Sequence, residues 1–302
     1  MKSQQSAYFY AGLSILAWST ISTAFKLSLI QLTPLGLLLI SAFTAAVFLG
    51  IVKLRTEGMH GGFKEICGNL RRSLVAGMLN PFAYYLILFV AYSRLRAQEA
   101  QALNYTWAIV LALFSIPLLK ERFRLIDITA LLVSLMGVII ISTRGNLAIL
   151  RFDDKLASFL ALFSSLVWAF YWIVSLKDKR DAVPKLFYNF LVGALAVGLF
   201  ALISGLPLFL PGAKPLYGIL GALYVGIFEM GLTFLLWYKA LEKTHSTATV
   251  SNLIFLTPFL SLLFIATVLH ESIHPATVIG LLLIVASNLI QKGISFSIKR
   301  KS

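Results

Sequence analysis

"YVGIFEMGLTFLLWYKAL", residues Tyr224 to Leu241, sets one carboxylate, Glu229, in the middle of an almost wholly apolar run. At 1.5 Å per residue the stretch makes a helix about 27 Å long, close to the ~30 Å hydrocarbon core of a bilayer. The rest of the chain decides whether that is how it is used. Of its 302 residues 59% are hydrophobic and only 13% charged, whereas a soluble domain carries about 25% charged residues. Ten apolar segments of this kind follow one another, at 7–30, 34–53, 72–93, 98–118, 124–143, 156–176, 184–204, 216–238, 245–269 and 275–295. The pattern predicts an all-α polytopic membrane protein with ten transmembrane helices. The breaks carry Pro, Gly or charge, as in "QLTP", "LKERFRL", "KDKRDAVP" and "LPGAKP". The longest connection, 54–71, is too short to hold a soluble domain. The first segment is too long for a cleaved signal peptide, and nine more come after it.

A net charge of +14 would suggest nucleic acid in a soluble chain, so the placement of the 26 lysines and arginines matters. With the N-terminus inside, nineteen fall in segments on the inner side, six on the outer side, and Lys26 within a helix. The excess is a positive-inside signal that places both termini in the cytoplasm and the chain in the plasma (inner) membrane, with no nucleic-acid partner. The expected partners are the lipid bilayer and a small-molecule substrate, for a monomer or a weak homodimer. The single cysteine, Cys67 in the 54–71 connection, allows no intrachain disulfide and no zinc motif,. No metal or cofactor is expected. There is no HExxH, GxSxG or P-loop, Asp153 and Asp154 stand alone as an acidic pair, and the four histidines fall at loop or helix-end positions. The chain is therefore not expected to be an enzyme, nor to use ATP directly. The one Asn-x-Ser/Thr match, at Asn104, falls within a helix.

Displacing the sequence by 150 residues lays "SILAWSTIS" (Ser14 to Ser22) on "SSLVWAFYW" (Ser164 to Trp172), matching Ser14 to Ser164 and Trp18 to Trp168. The same shift lays "LALFSIPLLKER" (Leu111 to Arg122) on "SLLFIATVLHES" (Ser261 to Ser272), matching Leu113, Phe114, Leu119 and Glu121. One offset in two places indicates a duplication, with one repeat at 1–150 and the other at 151–302. Five helices per half is an odd number, so the second half enters the membrane from the opposite face. Such inverted five-helix repeats suit an alternating-access carrier; a channel or membrane sensor has less need of them.

"LAWSTISTAFKL" in the first segment, "LNYTWAIVLALFSIPLLKERF" in the fourth and "ALEKTHSTATVSNLIFLTPFLSLLFIATVLHE" in the ninth resemble the paired EamA domains of the drug/metabolite transporter superfamily. "NYTW" at Asn104 to Trp107 and "WSTISTAFK" at Trp18 to Lys26 are similar to the aromatic amino acid exporter branch, whose "NYLWP" has proline where this chain has Ala108. The resemblance implies a basket formed by segments 1 to 4 and 6 to 9 around a central cavity, with segments 5 and 10 outside it. It implies a secondary transporter, an exporter of amino acids or related amphipathic solutes, or else a multidrug or other-metabolite carrier.

Candidate substrate contacts are then the aromatic and amide groups in the basket: Trp18, Asn80, Tyr84, Asn104, Tyr105, Trp107, Trp168, Tyr171 and Asn252. Lys26 is added as a cation at the cavity's outer mouth, although its head group could equally snorkel outward. Tyr8, Tyr10, Trp237 and Tyr238 sit at segment ends and read as an interfacial belt. Glu229 lies near mid-membrane, where a charge is expensive and faces a cavity or partner. Gly218, Ala222, Gly226, Glu229 and Thr233 share one helical face by their 4, 4, 3, 4 spacing, a small-residue stripe suited to close packing or to lining a cavity. Glu229 is thus a proton-coupling or substrate-ammonium carboxylate, or a structural hydrogen-bonding group. A direct Lys26–Glu229 ion pair is not expected, since the two lie about 10 Å apart along the bilayer normal.

Overall fold

The computed structural model describes residues 2–58, 62–119, 125–145, 154–244, 250 and 253–299. These residues are helical throughout their regular structure: α1 Lys2–Leu29, α2 Pro34–Glu57, α3 Gly62–Gly77, α4 Tyr84–Arg94, α5 Ala97–Asn104, α6 Trp107–Leu119, α7 Leu125–Ser142, α8 Lys155–Lys177, α9 Ala182–Ser204, α10 Pro215–Tyr224, α11 Thr233–Lys243, α12 Thr257–Val268 and α13 Pro275–Lys299. No strand forms among them; Leu32 and Phe209 make an isolated antiparallel bridge between two loops. Five continuous helical stretches are long and apolar enough to cross a membrane: Pro34–Thr56, Leu70–Arg94, Lys155–Lys177, Ala182–Ser204 and Pro215–Lys243. Ile128–Ile141, Leu253–Val268 and Pro275–Ile290 are shorter apolar helices. α1 is long but rich in Ser and Thr. Hydroxyls of Ser14, Ser19 and Ser28 turn back to carbonyls of the same helix, at Tyr10, Ile15 and Ala24, so these three are satisfied without water.

Several segment boundaries differ from those predicted. The predicted connection at 54–71 is mostly helix, because α2 runs to Glu57 and α3 starts at Gly62, placing Cys67 within α3. Segment 98–118 is not one helix. It breaks at Tyr105 and Thr106 between α5 and α6, with Thr106 Oγ1 donating to Leu103 O and to Ser165 Oγ. Pro258 lies in the first turn of α12, where its missing N–H has no intrahelical partner to lose. The tenth segment runs on to Lys299.

Two helical stretches depart from regular α-geometry: Met78–Ala83, between α3 and α4, is a kink, and Val225–Leu232, between α10 and α11, is widened into a π-turn. In the first, Asn80 takes an extended conformation (φ −146°, ψ 116°), the geometry favoured before proline; Pro81 also lacks the N–H a regular helix would use. In the second, the Thr233 hydroxyl donates to the carbonyl of Phe228 five residues earlier.

The packing partners are exchanged between the halves. α1 packs on α10, α11 and α12, while α8 packs on α4, α5 and α6; α2 pairs with α9, and α7 with α13. The α2 contact with the second half is close. A Cβ on Gly226 would lie 2.6 Å from both Ser41 O and Thr44 Cβ, so only glycine permits this approach.

Candidate functional site

The geometry around Glu229 is set by the π-turn. Up to Glu229, Gly218, Ala222 and Gly226 pack closely on the first half of the chain: Gly218 lies against the Gln31 and Leu32 side chains, Ser41 Oγ donates 3.0 Å to Ala222 O, and Gly226 lies against Ser41 O. The predicted small-residue stripe is therefore a packing surface over those three positions. One extra residue in a turn rotates the later residues of the helix by about 100°, and Glu229 turns away from α2 to a central cavity. It is buried, and Oε1 accepts a 2.9 Å hydrogen bond from the hydroxyl of Tyr85, itself fully buried. The Trp18 indole is a second donor beside the carboxyl, while Oε2 has no well-formed hydrogen bond.

The cavity has a volume of about 280 Å³, near the lower end for small-molecule sites. All five tryptophans of the chain, Trp18, Trp107, Trp168, Trp172 and Trp237, line it. Trp237 is thus not part of an interfacial belt: it is buried and tilted against Trp18 at 5.5 Å. Tyr84 stacks on Trp168 with ring centroids 4.4 Å apart. Trp18 meets Phe234 edge-on at 6.0 Å, and Phe234 also touches Trp168. Tyr84 and Phe234 are 150 residues apart, as are Trp18 and Trp168, so both contacts run between residues 1–150 and 151–302 at corresponding positions, one stacked and the other edge-on.

Of the residues singled out from sequence, Trp18, Tyr84, Asn104, Tyr105, Trp107, Trp168 and Glu229 come together in the lining. Asn104 ties three helices: its Oδ1 accepts from Tyr84 Oη at 3.2 Å, and its Nδ2 donates to Ser164 Oγ at 2.9 Å. Tyr171 and Asn80 are buried behind the lining. Asn252 lies outside the described residues. Lys26 is also outside the lining: its Nζ donates to the carbonyls of Tyr92 (2.9 Å) and Leu95 (2.7 Å), closing the C-terminal end of α4. Tyr92 and Gln101 were among the contributors missed. The spacing Tyr84, Leu88, Tyr92 along α4 is the signal that marks one helical face toward the cavity.

The two ends of the cavity differ. Toward one end the lining reaches Leu176 and Leu241, next to the last residues of α8 and α11. Toward the other it stops at Phe25 and Tyr92, beneath a polar cluster. There Ser22 and Tyr92 share a 2.8 Å hydrogen bond. Glu271 Oε1 accepts from Ala97 N (3.1 Å), Gln98 Nε2 donates to Ser272 O (2.9 Å), and His274 N donates to Gln98 Oε1 (2.9 Å). Glu271 thereby satisfies an open N–H at the start of α5, and the loop before α13 is fastened to the first half of the chain.

The sequence matches the EamA-like transporter family over residues 5–143 and 155–290. It is 29% identical over 245 residues to an uncharacterized transporter of Clostridium kluyveri, covering 80% of this chain and 75% of that protein. It is 25% identical to the uncharacterized transporter YoaV of Bacillus subtilis over 275 residues, 89% of this chain and 90% of that one. A solved crystal structure superposes with a TM-score of 0.67 at 20% identity, over 97% of this chain and 99% of the other, a likeness of fold.

Proposed function

The chain belongs to the EamA-like transporter family, a membrane transporter family, and we propose that this member is a secondary exporter of amino acids or related amphipathic solutes, working by alternating access across the plasma (inner) membrane. The observation that carries the reading is the cavity: five tryptophans and one carboxylate gathered between two groups of helices, with one end fastened and the other lined to the helix ends. On this reading ten spans form two inverted five-helix repeats, 1–150 and 151–302. In their support, α1 and α8 exchange equivalent partners, both third spans are interrupted, one by a kink and the other by a π-turn, and both fourth spans begin a new helix at equivalent positions, Trp107 and Thr257.

With both termini cytoplasmic, as the placement of Lys and Arg favours, the Gln98–Glu271 end faces outward and the Leu176 end inward. The described state is then inward-facing. Glu229 is the group through which transport couples to protons or to a substrate ammonium. A second reading, a carrier of amphipathic drugs, draws support from the aromatic wall, which fits apolar ring systems without reading their polar substituents.

Transport by the purified protein in sealed proteoliposomes, against a panel of amino acids and amphipathic drugs with and without a pH gradient, tests the proposal. A substrate should accumulate, and Glu229→Gln should keep the fold while losing accumulation driven by the gradient. A Gln variant that transports at the wild-type rate with an unchanged pH profile would make the carboxyl structural.

A further inference from the structure

The cavity reads charge as well as shape. Among the described residues, Glu229 is the one formally charged side chain in its lining. The nearby cations are used elsewhere: Lys26 on the carbonyls of Tyr92 and Leu95, and Lys185 on Asp178 O and the Tyr238 ring. A carboxylate entering with a substrate would find no cation there and would face Glu229.

Unsatisfied polar atoms also lie in the lining. Glu229 Oε2 and Gln101 Oε1 are buried acceptors in the lining without hydrogen-bond partners. Two buried lining donors, Trp172 Nε1 and the Thr257 hydroxyl, are likewise without partners, so the charge of Glu229 decides the preference. Buried acceptors left open are costly unless a ligand brings donors. The surrounding aromatic rings present negative faces, which attract an ammonium group in a desolvated site.

We propose that the cavity selects organic cations, specifically amines carrying an aromatic or bulky apolar body, over zwitterionic amino acids of the same body. The ammonium would donate to Glu229 and Gln101, with the body between Trp168 and Trp18. This rests on the transporter reading and, within its substrate range, favours the related amphipathic amines over the amino acids themselves.

A matched series of four solutes separates the two claims: 2-phenylethylamine (cation), phenylalanine (zwitterion), 3-phenylpropionate (anion) and 2-phenylethanol (neutral). Saturable quenching of tryptophan fluorescence reports binding directly, because every tryptophan lines the cavity. Counterflow in proteoliposomes reports transport. The amine should bind at least about tenfold more tightly than phenylalanine, and it alone should exchange at low concentration. Glu229→Gln should erase that preference, and Gln101→Met should weaken amine binding several-fold. Should either variant fail to fold, the wild-type ranking decides alone.

Phenylalanine binding as tightly as the amine, or a preference that survives in a folded Glu229→Gln, would overturn the inference. If phenylalanine also exchanges, the transporter reading stands without it. Saturable binding by none of the four would overturn the inference and count against the cavity as the transport site.

Discussion

Gln98 is fully buried and holds the two halves together at one end of the cavity. Its amide donates to Ser272 O and accepts from His274 N, each at 2.9 Å. Gln98→Leu keeps much of the volume and removes both bonds. Each is worth about 0.5–1.5 kcal/mol net, and in an opened state water would satisfy the freed groups, so the loss falls on the closed state alone. The closed state should lose about 1–3 kcal/mol relative to the open one, which raises the open-to-closed ratio roughly 5- to 150-fold. Leu88, buried in the cavity wall below this cluster, is the place to read it. In a Cys67→Ser background, Leu88→Cys should react with an impermeant maleimide added to intact cells, at a rate proportional to the open population. Adding Gln98→Leu should speed labelling by that factor until opening is no longer limiting. Arg94→Gln, which breaks only the exposed pair with Asp154, should change it little. An unchanged labelling rate in a folded Gln98→Leu protein would refute the assignment of this cluster as the closure.

Three further outcomes are expected. Trp168→Ala removes the stack on Tyr84 at 4.4 Å; with an aromatic pair worth about 0.5–1.5 kcal/mol, binding of ring-bearing solutes should weaken roughly 2- to 12-fold beyond any loss of folded protein, and Trp168→Phe should restore part of it. If activity merely tracks folded protein, Trp168 is a packing residue. In the Cys67→Ser background, Thr56→Cys should be labelled only after the membrane is opened and Pro211→Cys from outside; the opposite pattern would reverse the orientation. In the turn between α8 and α9, burial disfavours the Asp178 charge, but hydrogen bonds and charge from Arg180 outweigh it and hold the carboxyl below its usual range. A depressed carboxyl contributes stability above its unfolded pKa, about 3.9 for Asp, and loses it as pH falls through the folded value. Asp178→Asn should therefore melt lower than wild type at pH 7, with the gap closing as pH drops below about 3.9; a gap independent of pH would assign the effect to packing.

Much of the helix plan was legible because apolar runs and their Pro, Gly and charged breaks report burial directly. The aromatic cavity was legible in part, since Trp18, Tyr84, Trp107 and Trp168 lie where the basket arrangement puts them. The features that periodicity misplaced have a common cause: it assumes an unbroken 3.6-residue helix. The π-turn at Val225–Leu232 divides the small-residue stripe, so Gly226 packs on α2 while Glu229 turns to the cavity. It also precedes Trp237, whose place near a segment end suggests a belt but whose ring lies on Trp18. Lys26 shows a different limit. Its position along the helix was readable, but its partners are carbonyls at the end of α4, and carbonyl acceptors leave no mark in residue identity.

On the proposed duplication, the frame is what the halves share and the chemistry is where they part. Interruptions of the third spans, the breaks in the fourth spans and the tryptophans at 18 and 168 recur at or near the 150-residue offset. Glu229, however, corresponds to Leu79, Asn104 to Ile254, and Tyr84 to Phe234. The shared features govern how backbone bends and which helices touch, and an exchange of inward and outward states needs both halves to offer those options alike. The unshared ones set charge and hydrogen bonding inside the cavity. The first half supplies the amide of Asn104 and the hydroxyls of Tyr84 and Tyr85, the second supplies the lone carboxylate, and the Tyr85–Glu229 bond at 2.9 Å joins the two contributions. On the proposed mechanism a relative motion of the halves strains that bond, so the state of the carboxyl and the position of the helices would bias one another: a proton or an ammonium on Glu229 would act on the equilibrium through the tyrosine opposite it.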